Sequence, residues 1–553
     1  MGFRDMTIYQ IYPKSFYDRS GSGVGDLQGI LEKVPYIASL GIDMVWFNPF
    51  FVSPQRDNGY DISDYYAIDP KMGTMDDFVQ LVAALDERGI GVMLDMVLNH
   101  TSTEHEWFGK ALAGDPEYLD FYYVRDASAD GGPPNNWVSK FGGSAWAPFG
   151  DSGRYYLHLF DATQADLNWH NPAVRREMAR VVEFWRGKGV RGFRFDVINL
   201  IGKPADLPSA PPGVDDRTMY TDGATVHDYL RELAERSYGQ DGESVTVGEM
   251  SSTSIEACIQ YSNPDSRELA MVFNFHHLKV DYLDGDKWTL MPFDFAELKR
   301  TLMDWAVGMQ DGGGWNALFW NNHDQPRALN RFGDVDGYRY ESATMLATAL
   351  HLLRGTPYVY MGEEIGMTDP EYSAIEEYVD VEAINAYDAL VSVGMSPADA
   401  FSVVRAKARD NARTPMQWTA EANGGFTAGT PWLRPTNHVT INVENEEAEG
   451  KILPFYRKLI RLRKQHAIVA EGTVTPYALD HTSVLAYVRE LGDEQILVLT
   501  NFYGDPTTIA IPEEFVGGEV FVANYDPAPG SPSREVLLRP YEALVLRRGR
   551  PLR

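Results

Sequence analysis

The sequence predicts an α/β protein built on a (β/α)8 TIM-type barrel, with a small domain inserted after the third strand and a C-terminal antiparallel β-sandwich. Three observations carry this prediction. Short apolar runs alternate with amphipathic stretches through most of the chain, the pattern of a parallel sheet with crossover helices. Eight such runs occur, at residues 7–12, 44–48, 91–97, 192–197, 245–248, 270–275, 317–321 and 357–360, enough to close a barrel. From about residue 473 the helical pattern stops, and short runs such as SVLAYVRE, QILVLTNFY and EALVLRR follow, separated by turn signals.

The stretches between the strands supply the helices. LQGILEKVPYIASLG, MDDFVQLVAALDERG and NPAVRREMARVVEFWRGKG repeat apolar residues at helical spacing, and each ends at a glycine able to cap a helix. Residues 101–167 interrupt the alternation; rich in Gly, Pro, Trp and Tyr, they fall between the third strand and its helix, over the mouth of the barrel. The expected organisation is therefore a barrel of residues 1–100 and 168–472, an inserted domain of 101–167 and a sandwich of 473–553. At 553 residues the chain exceeds a single simple core, and 44% hydrophobic residues can fill several.

Composition narrows the partners. A formal charge of −30 repels nucleic acid and anionic membrane surfaces, so neither is expected to bind. No apolar run reaches the roughly 18 residues of a membrane span. Cys258 is the only cysteine, which rules out an internal disulfide. Together with a strand pattern that begins almost at once, without a signal segment before it, this gives a cytoplasmic chain as the expectation. The expected partner is a small-molecule substrate, and the expected state is a monomer.

The residues able to do chemistry stand at the ends of otherwise apolar strands. GVMLDMVLNH ends in Asn99 and His100, GFRFDVIN carries Arg194 and Asp196, VTVGEM carries Glu249, and ALFWNNHD ends in His323 and Asp324. Strand side chains alternate, so Arg194 and Asp196 point to one side of the sheet. An arginine beside an aspartate holds it ionised, which suits a nucleophile. Glu249 closes an apolar strand, where desolvation favours the protonated form. Two carboxyl groups with unequal hold on their protons are what glycoside hydrolysis needs. Taken singly, Asp95 reads as a structural anchor, Glu249 as a helix cap and His100 as a satisfied buried histidine. Four strand ends bearing such groups together fit a barrel active site better. Aromatic residues, at 12%, add faces on which sugar rings can stack, although barrel cores account for most of them.

The runs DMVLNH, GFRFDVIN, GEM and NNHD, in this order, resemble the four signature regions of the α-amylase superfamily, and the resemblance covers essentially the whole chain. It implies a retaining mechanism with Asp196 as nucleophile, Glu249 as general acid/base and Asp324 as a third carboxylate on the sugar's 2- and 3-hydroxyls. Arg194, His100 and His323 would line the same subsite. NGYDISDYYAID, QADLNW and DNARTPMQW are similar to the oligo-1,6-glucosidase and α-glucosidase group. That similarity implies Tyr60 stacked on the non-reducing glucose, Asp61 and Arg413 on its outer hydroxyls, and a blind pocket. Val197 looks like the α-1,6 and trehalose-type branch, while Ala165 stands where the group often has proline.

Within that group the chain is most similar to the α,α-phosphotrehalases. The similarity is carried by GSGVGD (21–26), GEMSST (248–253), FNFHHLKVDY (273–282) with GDKW (285–288), and GGGWNALFWNNHDQPR (312–327). Where oligo-1,6-glucosidases usually show an acidic pair, HHLK places His276 and Lys279, and two reversed charges suit a more negative substrate. The implied substrate is a phosphorylated disaccharide, trehalose 6-phosphate, gripped by Lys279 with His276, Lys287 and the hydroxyls of Ser251, Ser252 and Thr253. The alternative is an oligo-1,6-glucosidase acting on isomaltose-type sugars, with the basic residues incidental. Related α-glucosidases bind Ca²⁺ in a D-x-N-x-D-G-x-G-D loop. Here DRSGSGVGD keeps Asp18 and Asp26 but has Ser20 and Ser22 at two ligand positions. Fewer carboxylates weaken Ca²⁺ binding. No metal and no required cofactor are expected, with at most weak Ca²⁺ binding at Asp18 and Asp26.

Overall fold

Eight parallel strands, each buried on both faces, surround one axis in the computed structural model, which describes residues 2–239, 242–528, 530 and 532–549. They are β1 (Ile8–Ile11), β2 (Met44–Phe47), β3 (Gly91–Met96), β4 (Gly192–Phe195), β5 (Val245–Glu249), β6 (Met271–Phe273), β7 (Ala317–Leu318) and β8 (Thr356–Tyr360). Their order is β6-β5-β4-β3-β2-β1-β8-β7. A parallel bridge from Val272 to Asn316 joins the two ends, so the barrel is nearly closed. All eight fall on the expected runs. The seventh is shorter than expected, because the chain leaves the ladder after Leu318. There the Phe319 carbonyl accepts from His277 Nε2 (2.9 Å), and the Asn321 side chain accepts from the Ala328 amide (2.6 Å).

The helices between the strands are set by their ends. Met75–Asp86 starts with a capping box between Thr74 and Asp77, and Pro172–Arg186 starts under the Asn171 cap with proline in its first turn. The glycines that close three such segments, Gly41, Gly89 and Gly189, take left-handed φ of 80°, 72° and 92°. The helix Pro172–Arg186 then buries Met178, Val181, Val182 and Trp185.

Three additions frame the barrel mouth and flank. Between β3 and the helix Pro172–Arg186, His100–Ser102 pairs antiparallel with Gln164–Asp166, and a three-stranded sheet forms from Val124–Asp126, Trp146–Pro148 and Arg154–Leu157. Tyr123, Trp137, Trp146 and Leu157 of this segment pack on Val197, Leu200, Leu207 and Tyr220, just beyond β4. The fully buried Lys203 clamps the junction. Its ammonium donates to Asn99 Oδ1 and the Leu200 carbonyl (2.8 Å each) and meets Asp166 Oδ2 at 2.8 Å. Beyond β8, the helices Val381–Ser392 and Pro397–Lys407 form a hairpin not anticipated from sequence, capped at its start by Asp380.

At the C-terminus, Thr473–Tyr477, Val484–Leu491, Glu494–Asn501, Ala543–Arg548 and Glu519–Ala523 form a five-stranded antiparallel sheet, with Thr507–Ala510 and Glu535–Leu538 as a second, two-stranded one. Alternation decides the two faces. Val484, Ala486, Leu497 and Leu499 join the core shared with the small sheet, while Leu485, Tyr487, Ile496 and Val498 join the barrel's. Tyr487 Oη donates to the Ala349 carbonyl (2.8 Å) and fastens that contact. Among the described residues no helix is long and apolar enough to cross a membrane.

Lys203→Met should lower the midpoint of urea unfolding, since removing one partner of a buried ion pair costs about 3–5 kcal/mol. Adding Asp166→Asn should recover part of the loss. An unchanged midpoint in the single variant would deny the ammonium its anchoring role.

Candidate active site

The barrel register assembles the centre. Arg194 on β4 lies opposite Asp95 on β3, and Phe195 opposite Gly248 on β5, which brings Asp196 level with Glu249 one residue further on. Arg194 is fully buried. Its Nη1 meets Asp95 Oδ1 and Asp196 Oδ1 at 2.6 Å each, and its Nη2 meets Glu249 Oε2. Asp95 is sealed, with Oδ2 accepting from Tyr60 Oη (2.9 Å) and Trp46 Nε1 (3.3 Å), in keeping with an anchor. Asp196 and Glu249 keep side-chain exposures of 10% and 12%, against none for Asp95, so only these two can be reached from outside. Val197 follows in the left-handed region (φ 36°, ψ 40°), a strained conformation for a β-branched residue, and turns the chain away directly after Asp196.

Asp324 faces this pair from the segment beyond β7. Its Oδ1 meets Arg413 Nη2 (2.9 Å) and Arg409 Nη1 (3.5 Å), and its Oδ2 faces His323 Nε2 (3.1 Å). Burial alone would raise the Asp324 carboxyl; contact with the His323 ring and with the Arg409 and Arg413 guanidiniums more than reverses that and holds it below its ordinary value. Burial pushes the His323 imidazole down to about 3 and lowers His100 as well, so both are neutral at pH 7. The His100 Nε2 lies 3.1 Å from the Tyr60 carbonyl. The Tyr60 ring lies parallel to that of His323 (centroids 5.3 Å apart, 4° between planes).

Sequence reading missed a second arginine. Arg409 and Arg413 bracket the short helix Asp410–Arg413, four residues apart and so on one face, a spacing that could have flagged both. Arg413 is fully buried, whereas Arg409 lines the cavity. Arg409 also meets Asp57 (3.1 Å), Asp380 (2.5 Å) and Glu382 (3.2 Å). Asp57 corrects the expectation for Asp61. Both oxygens of Asp61 are consumed by their own loop, from Ser53 Oγ (2.9 Å) and the amides of Arg56 (2.8 Å) and Asp57 (3.1 Å). The chain reverses at Asn58 (φ 50°) and Gly59 (φ 105°), which leaves Asp57 as the carboxylate of this motif that meets Arg409.

Glu249, Asp324 and Arg409 line a cavity of about 260 Å³, walled by Phe141, Phe160, Val197, Phe275 and Tyr282. The expected phosphate ligands meet different fates around it. Lys279 lines it and is exposed. His276 also lines it but packs on Trp305 (centroids 4.9 Å apart), and burial, aided by Lys279, pushes its imidazole down to about 4, so it brings no charge. Lys287 is neutralised by Glu382 (2.8 Å). Ser251 and Ser252 line the cavity, while Thr253 lies behind, against Cys258. Sequence reading missed Lys140, from the inserted segment, which reaches Ser251 Oγ (3.0 Å). Burial, then the nearby Arg217 and Lys279, push the Lys140 ammonium down to about 8. Neither Lys140 nor Lys279 has a carboxylate partner within 4.0 Å among the described residues.

The loop of Asp18 and Asp26 is closed by the protein's own donors. Asp18 accepts from Ser20 Oγ (2.8 Å), Thr427 Oγ1 (2.6 Å) and the amides of Gly21 (2.9 Å) and Gly23 (2.6 Å). Asp26 accepts from the amides of Arg19 (3.1 Å), Ser20 (3.0 Å) and Gly29 (2.6 Å). Donors of the protein itself thus occupy the carboxylate oxygens of this loop.

Comparison with known proteins agrees with this geometry. Residues 10–472 match the alpha amylase catalytic domain, and residues 484–545 match the alpha-amylase SusG C-terminal domain. The chain is 50% identical to trehalose-6-phosphate hydrolase of Bacillus subtilis (strain 168), over 99% of this chain and 98% of that one. It is 44% identical to oligo-1,6-glucosidase of Parageobacillus thermoglucosidasius, over 98% of each. The crystal structure of Bacillus licheniformis trehalose-6-phosphate hydrolase superposes with a TM-score of 0.94 at 49% identity, covering 99% of both chains. With the barrel, the strand-end carboxylates and the catalytic-domain match in agreement, the chain belongs to the alpha-amylase family of glycoside hydrolases.

Proposed function

We propose that this chain hydrolyses trehalose 6-phosphate to glucose and glucose 6-phosphate, retaining the configuration of the released glucose. The carrying observation is that Glu249 and Asp324 line one cavity with Lys140 and Lys279, two cations free of carboxylate partners among the described residues. The Asp196 carboxylate attacks the anomeric carbon of the unphosphorylated glucose as Glu249 protonates the glycosidic oxygen, and glucose 6-phosphate departs. Glu249, now a carboxylate, takes a proton from water, whose oxygen opens the glycosyl ester and frees Asp196. Asp324 holds the ring hydroxyls, with the neutral His323 ring against its Oδ2, and the Arg194 guanidinium lies against the Asp196 carboxylate that attacks. The P–O bond is untouched. Lys140 and Lys279 meet the phosphate of the leaving half, where a charge-assisted hydrogen bond contributes about 1.5–3 kcal/mol.

No metal or other cofactor enters this scheme, and the self-satisfied Asp18 loop supports that reading. The lone, buried Cys258 supports a cytoplasmic setting. A second reading, hydrolysis of isomaltose-type α-1,6 sugars, draws on the neutral His276 and the Glu382-paired Lys287, which reduce the positive charge at the cavity.

Kinetics on trehalose 6-phosphate, trehalose and isomaltose separate these readings. Asp196→Asn and Glu249→Gln should each cut kcat by at least about 10²–10⁴-fold while circular dichroism stays native. Proton NMR in the first turnovers should show α-glucose before β-glucose, and a β-first product would exclude the ester intermediate. Lys279→Ala should lower kcat/KM for the phosphorylated substrate by roughly ten- to hundredfold and scarcely change that for trehalose. An equal loss on both would make Lys279 structural.

The Lys140 ammonium binds phosphate only while protonated. kcat/KM for trehalose 6-phosphate should therefore fall as pH rises through about 8, where the free protein loses that proton. Trehalose should show no such limb, and Lys140→Arg should move it to higher pH. A limb common to both sugars would assign it elsewhere.

A further inference from the structure

The rule that singles out Arg194 and Glu249, a polar residue near the end of an apolar strand, also points to Gln10 on β1 and Asn48 just beyond β2. Both are buried and neither can exchange a proton. Gln10 Nε2 lies 3.0 Å from His323 Nδ1 and Asn48 Nδ2 lies 3.1 Å from the same nitrogen. Gln10 Nε2 also donates to Asn48 Oδ1 (2.9 Å), which fixes which end of the Asn48 amide carries the hydrogens. Two amide donors aimed at one ring nitrogen require that nitrogen to be bare.

The other side of the ring gives the same answer. Tyr60 has one hydroxyl hydrogen, and Asp95 Oδ2, at 2.9 Å, takes it. The Tyr60 oxygen can then only accept, from Asn48 Nδ2 (2.8 Å) and from His323 Nε2 (2.7 Å). His323 Nε2 must therefore carry a hydrogen, and it is this hydrogen that also faces Asp324 Oδ2.

We propose that Gln10 and Asn48 are positioning residues that lock His323 as a neutral Nε2–H donor towards Tyr60 and Asp324. A carboxylate in place of either amide would accept a hydrogen from Nδ1 and draw a second proton onto the ring. The charged and titratable groups around that ring are Asp324, Tyr60, Tyr12, Arg413, Arg194 and Arg409. The consequence for catalysis rests on the hydrolase reading above; the tautomer does not, so the two can fail separately.

The test is ¹⁵N NMR of the full chain labelled in histidine, with the His323 signals assigned by their loss in His323→Gln. The wild type at pH 7 should show a pyridine-like Nδ1 and a protonated Nε2. A protonated Nδ1 in the wild type overturns the proposal outright, whatever any variant does. Gln10→Glu should protonate Nδ1 at pH 7 and move the ring's titration upward, adding an ionisation to the pH profile of kcat/KM that the wild type lacks. Gln10→Met should lower kcat about tenfold with little change in KM, the equivalent of one lost hydrogen bond. If Gln10→Glu does not fold, Asn48→Asp makes the same substitution from the other strand. A folded carboxylate variant whose His323 signals match the wild type overturns the role assigned to the amides.

Discussion

One buried guanidinium governs the centre of this molecule. Arg194 sits where three strands end, and Asp95, Asp196 and Glu249 each come from a different one. Two or three carboxylates brought this close in low dielectric would repel one another or take up protons. The arginine makes their proximity tolerable, because its planar guanidinium reaches carboxylates from three neighbouring strands at once. The barrel supplies only the positions. The charge that lets these positions be filled with acids is a single residue.

The same arrangement recurs one layer up. Arg413 and Arg409 stand over Asp324, Asp57 and Asp380, and the buried Asp410 accepts the amides of Val379 (2.8 Å) and Asp380 (2.9 Å) beneath them. The helical hairpin that starts at Asp380 is thereby tied to both arginines. A chain of net charge −30 thus carries its cavity as a local inversion, in which buried arginines hold the acids and two lysines without carboxylate partners among the described residues, Lys140 and Lys279, stand at the cavity beside the Glu382-paired Lys287. At distances beyond roughly 8–10 Å, salt screens the field of the outer surface. The contacts inside the cavity then decide what binds there.

Much of this was legible in the amino-acid order. Apolar runs of strand length between helical repeats identified all eight barrel strands, since strands buried on both faces leave continuous hydrophobic signals. Arg194, Asp196, Glu249 and Asp324 stood out because charge is rare at the end of such a run. What was obscure has physical causes. Asp57 and Asp61 belong to one short motif, and only the left-handed turn between them decides which carboxylate meets Arg409. Lys140 lies in an irregular segment whose periodicity says nothing about where a side chain is aimed. Gln10 and Asn48 were visible as polar residues in apolar strands, but amides do no acid–base chemistry and so drew no attention. The hairpin after β8 has only moderately amphipathic helices, and its place over the site depends on the buried ion pairs of Asp380.

Lys203 gives the junction of barrel and inserted segment a property of its own. An amide oxygen, a carboxylate and a backbone carbonyl converge on its ammonium, a donor set of the kind that hard metal ions also favour. Here the cation is tethered to the backbone by a four-carbon stem. It is present once per chain from the moment of synthesis, cannot be diluted or exchanged, and has no affinity to be saturated. The inserted segment, whose Lys140 reaches the cavity, is therefore secured by an ion that travels with the polypeptide, whatever the salts of the medium around it.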